Sequence, residues 1–459
     1  MSDATWFVDT LAEVARRQPG RPAVVTADEV LTYAELVRRA ERLASRLAGR
    51  PAVRARCAAR VAEAVTAATM ADVPLLVGDP RAGEAERARA AALFGADRDL
   101  PLDGEAIRAT DRREPDLGSP PGRPAGLGLS TSGSEGWPKC VERPWAAVTA
   151  NARAFARALE LAEGEAVACT TPPHHSYALC GGIVTTLTAG GTYVALDRQP
   201  GPRTVAAALD RHRPAVLLSV PLLYRWFSAG LDTRQRPRRC VSAGAPLPPE
   251  DRQRWIATVG WPLGEHYGTS EHGMLTLDTE SVPGSVGRPL DGVTLGVDPA
   301  PGPGDVVVRC AGPATRVHTG EPSVNATVAA SDGPTATGDI GRLDPDGRLY
   351  LLGRRGGTLN VAGNKVSTVE VEEALRLFPA VRECAVVGAP GAAGDQEVVA
   401  FVETGSALDH RSLVSFLRER LAPHKVPARI VTVDRLPRSP NGKLLRAELL
   451  RGLAAGAWR

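Results

Sequence analysis

Lysine is almost missing from this chain. Of 55 basic residues only Lys139, Lys365, Lys425 and Lys443 are lysine, so arginine serves wherever a generic positive charge suffices. An ammonium is a compact point charge that sits against a phosphate or carboxylate oxygen where a planar guanidinium does not fit, which makes the four exceptions informative. For Lys365 and Lys425, survival at surface positions is an equally good reading; for Lys139 and Lys443 the neighbouring residues favour chemistry. A field of one sign is missing too: 55 basic against 52 acidic residues leave a net charge of +3, too even for a nucleic-acid partner or an anionic membrane surface. The seven cysteines (57, 140, 169, 180, 240, 310 and 384) form no CxxC pair, are odd in number and lie far apart. This argues against a disulfide framework or zinc site and favours buried free thiols in a reducing compartment. The opening MSDATWFVDTLAEVARRQPG carries Asp3 and Asp9 and lacks a basic segment ahead of an apolar core, so it is not read as a secretory signal and the expected location is cytoplasmic.

One uncharged stretch, Ser176 to Leu196, is long enough to raise the question of a membrane span. Its two Gly pairs and its threonines predict instead a buried helix, a Gly-Gly turn and a strand TYVAL. A length of 459 residues with 43% hydrophobic content predicts one large domain and a smaller one. Thr32 with Glu35 forms a capping-box signature ahead of an apolar stripe at helical spacing, so a helix starts there. From about Pro51 to Pro124 the chain is Ala/Arg-rich with weak periodicity, and it then becomes a Gly/Pro-rich loop. Short apolar runs such as PAVLLSV alternate with helical segments such as WAAVTANARAFARALEL, the rhythm of an α/β domain with buried strands. Beyond Gly353 to Gly357 the texture becomes compact α+β, with strands ECAVVGAP and EVVAFVET and helices STVEVEEALRLF and SLVSFLRERLA. The expected fold is α/β: a large domain of several subdomains with mixed sheets over 1–354, and a small mobile α+β domain over 355–459.

The loop Thr131 to Lys139, TSGSEGWPK, combines hydroxyls, glycines and a lysine ahead of a predicted helix, and can wrap backbone N–H groups around phosphates. It lacks the GKS or GKT ending of the common nucleotide P-loop, and alone it is also compatible with a plain Gly/Ser turn. Further segments follow in order: SAGAPL, YGTSE, GSVGRPLDGV, TGD, GRRGGTLNVAGNKVSTVEVEE and LPRSPNGKLLR. Together they resemble the adenylate-forming superfamily of acyl- and aryl-CoA ligases, peptide-synthetase adenylation domains and luciferases, over nearly the whole chain.

The resemblance implies roles. Thr131, Ser132, Gly133, Ser134, Gly136 and Lys139 would hold the ATP phosphates and the departing pyrophosphate. Glu271 would be the Mg²⁺ carboxylate, with Ser270 keeping the hydroxyl of a threonine found in relatives. Asp339 and Arg354 would bind the ribose hydroxyls, Tyr267 and Gly268 would pack at the adenine, and Gly244 and Ala245 would form another wall. Lys443 corresponds to the mobile catalytic lysine, placed between the attacking carboxylate and the α-phosphate. At the hinge, Arg355 and Gly356 are followed by Asn360 where many relatives have a lysine; glycine leaves rotation free. Gly363 matches the glycine past which a pantetheine arm runs, favouring CoA or a carrier-protein thiol as acceptor; a tight turn is the simpler account. Cys140 stands where a glycine usually follows the loop lysine, with no local base to make it a nucleophile. The stretch from Tyr33 to Thr131 is shorter than in typical members.

The segment PPHHSYALCGG resembles the border of the acyl pocket, with His175 in a catalytic position and His174, Tyr177 and Gly273 around the acyl group. Amino-acid-activating relatives place an aspartate here for the α-ammonium; this stretch has none, and an uncompensated buried ammonium costs several kcal/mol, so an aryl or acyl acid is favoured. Three readings stay open: an acid–thiol ligase using ATP, Mg²⁺ and CoA or an acyl carrier protein; an adenylating ligase with a non-thiol acceptor; and a nucleotide or acyl-adenylate binding protein without turnover. The full charge set of Lys139, Glu271, Asp339 and Lys443 argues against the last.

Overall fold

The computed structural model describes residues 3–47, 49, 51–55, 57–80, 84–101, 125–131, 139–196, 200–298, 302–310, 316–319, 334–354, 358–361, 364–390, 396–405, 407–421, 423–438 and 444–457. A nine-stranded sheet forms its centre, ordered Arg288–Pro289, Gly273–Leu277, Gly264–Thr269, Arg239–Ser242, Val216–Ser219, Ala166–Cys169, Thr192–Ala195, Pro22–Val25, Val30–Thr32. From Gly264–Thr269 across to Pro22–Val25 every neighbouring pair is parallel. The strands Ala166–Cys169 and Val216–Ser219 are buried at every residue, which is why PAVLLSV reads as a continuous apolar run without alternation.

A six-stranded sheet lies beyond, ordered Arg316–Thr319, Lys139–Pro144, Gly126–Thr131, Leu75–Gly78, Pro51–Arg54, Arg98–Pro101, and a four-stranded antiparallel sheet follows from Val293–Asp298 to Leu349–Arg354. Helix Ala58–Met70 packs between the two large sheets and is buried on nearly all sides. Its Ala-rich sequence has weak periodicity for that reason: a helix covered all round needs no polar stripe, and alanines let both sheets approach. The expected helix after Thr32 spans Tyr33–Ala44, with both halves of the capping box formed by Thr32 and Glu35.

The uncharged stretch resolves as foreseen into helix, turn and strand, with one addition. Its first part, Tyr177–Val184, is a π-helix continuing into Thr185–Thr188; Gly190, at φ +68°, makes the turn, and Thr192–Ala195 is the strand. Gly182 is required by packing, since a Cβ there would lie 2.7 Å from the Tyr193 ring. Two of the threonine hydroxyls are satisfied within the helix: Thr185 donates to the Cys180 carbonyl and Thr186 to the Gly182 carbonyl, each at 2.7 Å, while Thr192 donates to the Pro22 carbonyl. Among the described residues no helix is long and apolar enough to cross a membrane.

From Leu359 onward the buried apolar side chains cluster with one another. This part comprises the hairpin Thr358–Val361 with Asn364–Ser367, the sheet Val381–Pro390, Gln396–Thr404 and Arg429–Val433, and helices Thr368–Arg376, His410–Arg418 and Arg446–Ala454. The large N-terminal body and the small α+β C-terminal one are both present. The cysteines are free thiols, five buried and two, Cys57 and Cys310, partly so.

Candidate active site

Parallel strands end together, and the polar groups beyond their carboxyl ends converge because no helix covers them there. In the nine-stranded sheet these ends carry Thr170 and Thr171, Val220, Ala243 to Ala245, and Gly268 to Glu271. The Thr170 and Ser219 hydroxyls meet at 2.7 Å and tie two of the strand ends together. Gly244 has φ +86° and is exposed with Ala245, so this turn presents bare backbone at the edge.

Tyr267 closes one side. Its ring is buried, and its hydroxyl donates to Asp339 Oδ2 at 2.6 Å, across to strand Thr335–Leu343. On the next strand, Arg354 is the ladder partner of Asp339. Folding therefore joins three residues singled out for the nucleoside, from positions 267, 339 and 354. Gly268 is needed because a Cβ would strike the Gly273 carbonyl, where the hairpin of Gly264–Thr269 and Gly273–Leu277 turns tightly. Ser270 and Glu271 occupy the tip of that hairpin, half-buried.

Thr131 and Lys139 face each other as the last pair of the Gly126–Thr131 and Lys139–Pro144 ladder, so the ends of the Ser/Thr/Gly loop are held together. Ser132, Gly133, Ser134 and Gly136 lie outside the described residues, as do Arg355, Gly356, Gly363 and Lys443. The frame around Lys443 is described: Arg438 and Leu444 form a β-bridge, and the Arg446 guanidinium donates to Glu372 Oε1 at 2.6 Å. Lys425 pairs with Glu370 at 2.6 Å, a structural contact within the C-terminal part, and Asn360 faces Lys365 across a hairpin. Cys140 is fully buried in the six-stranded sheet, paired with Ser130.

Around the acyl-pocket segment, His174 and His175 lie with ring centroids 4.8 Å apart, and His174 Nε2 stands 3.4 Å from Asp79. The carboxylate that approaches this stretch thus arrives from the other large sheet and faces a histidine. Tyr177 donates to the Val241 carbonyl at 3.1 Å, and burial holds its phenol well above the ordinary range. Gly273, at φ +80°, is pressed against Arg143 and Asn151, so any side chain there collides with both.

Several groups were not singled out from the sequence. His266 lies between Phe155 and Tyr177, at centroid distances of 4.9 and 5.5 Å, with Nδ1 2.8 Å from the Thr276 carbonyl. Burial depresses its pKa to about 4, so it is neutral at pH 7. His272 links the hairpin tip to the next sheet through Thr269 at 2.9 Å and Thr335 at 2.8 Å. Arg252 is buried between Glu265 at 2.6 Å and Asp278 at 3.3 Å, and Glu265 accepts from Leu247 N at 3.3 Å, anchoring the turn that carries Gly244. Burial raises the Glu265 carboxyl to about 7 against the pull of Arg252. His266 and His272 sit beside motif residues, which was the available signal; the Arg252 network had none.

The donors fit a nucleotide, with carboxylates, hydroxyls and exposed backbone at the strand ends; among the described residues no cluster of three or more His, Cys, Asp or Glu could hold a metal by itself, so a cation here would have to share its ligands with phosphate oxygens. Comparison with known proteins agrees. The AMP-binding enzyme family matches residues 127–312, and the AMP-binding enzyme C-terminal domain matches 370–443. A feruloyl-CoA synthase of Amycolatopsis sp is 31% identical, with 95% of this chain and 97% of that protein covered. Triostin synthetase I of Streptomyces triostinicus is 36% identical over 74% of this chain and 67% of its own length. The fold matches O-succinylbenzoate coenzyme A synthetase of Bacillus subtilis, solved in complex with ATP and magnesium ion, at a TM-score of 0.81 and 23% identity over 96% of this chain and 99% of that one. Likeness along nearly the entire sequence, with a strand-end site of the matching chemistry, makes this chain a member of the AMP-binding, adenylate-forming enzyme family.

Proposed function

We infer that this enzyme is an AMP-forming acid–thiol ligase: it joins a carboxylic acid to AMP with release of pyrophosphate, then transfers the acyl group to the thiol of CoA. ATP and Mg²⁺ serve the first half-reaction. The observation that carries the reading is the Tyr267–Asp339 contact beside the hairpin tip of Glu271, at the open edge of a parallel sheet.

Asp339, with Arg354 opposite on the ladder, accepts the ribose hydroxyls while Tyr267 orients its carboxylate. Gly244 and Ala245 line the adenine with unhindered backbone. Lys139 and Thr131 hold the phosphates at the mouth of their loop, and Glu271 is the protein carboxylate for Mg²⁺. Mg²⁺ held there by Glu271 would supply charge neutralisation to the phosphates. Lys443 offsets the charge of the carboxylate approaching the α-phosphate, and His175 lies beside that carboxylate. The chain from residue 355 onward carries Lys443 as one mobile unit, turning at Arg355 and Gly356, and Gly363 passes the pantetheine arm in the second half-reaction. An aryl or acyl acid is favoured, because the pocket segment has no aspartate of its own and Asp79, which approaches it, faces His174.

The test is acid-dependent pyrophosphate release across benzoic, cinnamic, fatty and amino acids, with and without CoA. Release with an aryl or fatty acid that becomes catalytic on adding CoA is expected. Release that stalls until an amine or a carrier protein is supplied would reassign the acceptor, and no release with any acid would overturn the reading.

A further inference from the structure

Arg143 lies on strand Lys139–Pro144, 2% exposed, where the π-helix and the hairpin meet. Its Nε has no hydrogen-bond partner, and no carboxylate among the described residues pairs with the guanidinium. Its neighbours are neutral. The backbone of Gly273 and the amide of Asn151 crowd it on one side, and the Cys180 and Cys310 thiols are close enough to interact electrostatically. Burial pushes both thiols up, Cys180 to about 11, so neither supplies an anion at neutral pH. Asn151, His272 and Cys310, all near Arg143, also line a surface cleft of about 170 Å³.

A guanidinium in this setting has lost its hydration and gained no counter-charge, which is unfavourable unless a bound group supplies the charge. Two small residues from the segments assigned to the acyl pocket border Arg143: Gly273, which cannot bear a Cβ without striking the guanidinium, and Cys180, three residues along the π-helix from Tyr177. We propose that Arg143 is a specificity-determining receptor at the inner end of the acyl pocket. It selects an acid that carries a second, anionic oxygen group remote from the carboxylate that is adenylated. This rests on the acid-activating reading above and narrows its substrate to a class.

The experiment compares size-matched acids, glutarate against pentanoate and isophthalate against benzoate, in wild type, Arg143→Met and Arg143→Lys. The diacids are expected to have the higher kcat/KM in pyrophosphate release. Arg143→Met should lose roughly a hundredfold on the diacids and little on the monoacids, as when one partner of a buried charge pair is removed. Arg143→Lys should recover part of the loss. Because the methionine removes an uncompensated charge, its Tm should not fall. Equal loss on both acid types, or a large fall in Tm with loss of all turnover, would assign Arg143 a structural role and overturn the proposal. Calorimetric titration with isophthalate separates the two readings: binding that needs Arg143 upholds the receptor even if no acid is adenylated, whereas monoacid turnover without diacid preference or binding sinks the receptor alone.

Discussion

The two halves of the reaction machinery are built differently. At the edge of the nine-stranded sheet, position comes from buried polar contacts that reach between layers: Tyr267 to Asp339, His272 to Thr335, and Arg252 between Glu265 and Asp278. In the C-terminal part, the frame around Lys443 depends on local contacts within one small body, the Arg438–Leu444 bridge and the Arg446–Glu372 pair. Contacts across layers fix a site in place. A self-contained frame can move as a unit, which suits the role proposed for Lys443, needed in one half-reaction and not in the other.

The contrast is broken most directly at Lys443. Lys443→Ala should lower adenylation about a hundred- to a thousandfold, the usual cost of removing one charge-stabilising contact. CoA acylation from a preformed acyl-adenylate should stay near wild type. Single-turnover rates of the two halves measure this, and equal losses would mean that Lys443 does not act in one half alone.

Next in size is a pH effect confined to the sheet side. His266 is depressed to about 4 from 6.5, so the unfolded chain takes up its proton first as pH falls. Its contribution to stability is complete above about 6.5 and is lost progressively as pH drops toward 4, by about 3 kcal/mol in all. Denaturant unfolding between these values should show that slope in wild type and lose it in His266→Gln.

Asp339→Ala removes the acceptor of Tyr267 and, on the proposed role, the ribose contact. A roughly ten- to hundredfold loss in kcat/KM for ATP is expected from hydrogen bonds to a charged group. Tyr267→Phe should cost less than Asp339→Ala, since it leaves the carboxylate in place. The smallest effect belongs to the C-terminal surface: Lys425→Met breaks a partly exposed pair with Glu370 and should cost at most about 1 kcal/mol, read as a small Tm shift with unchanged turnover.

Much of the fold was legible along the chain. The Thr32 capping box, the apolar run of Val216–Ser219, the turn at Gly190 and, beyond residue 358, the helices Thr368–Arg376 and His410–Arg418 and the strands Val381–Pro390 and Gln396–Thr404 are where local pattern placed them. These depend on interactions within a few residues, or on one face being apolar, and both are visible in one dimension. Helix Ala58–Met70 was not, because burial on nearly all sides erased the stripe that announces a helix. The π-helix was hidden as well, since the close packing of Gly182 against Tyr193 exists only in the fold.

For the site, the order of motifs named Tyr267, Glu271, Asp339 and Lys443, and showed that the acyl segment lacks an aspartate. On the proposed roles each short motif serves one piece of the ligand, so its residues lie close together in the chain. Which of them meet is a matter of packing: Tyr267 and Asp339 touch across 72 residues, and His174 finds Asp79 from another sheet. Tertiary structure alone also decided the state of buried charges. His266, Glu265 and Arg143 look like ordinary polar residues in the chain, and their pKa shifts or missing counter-charges arise only when folding removes water and sets the neighbours in place.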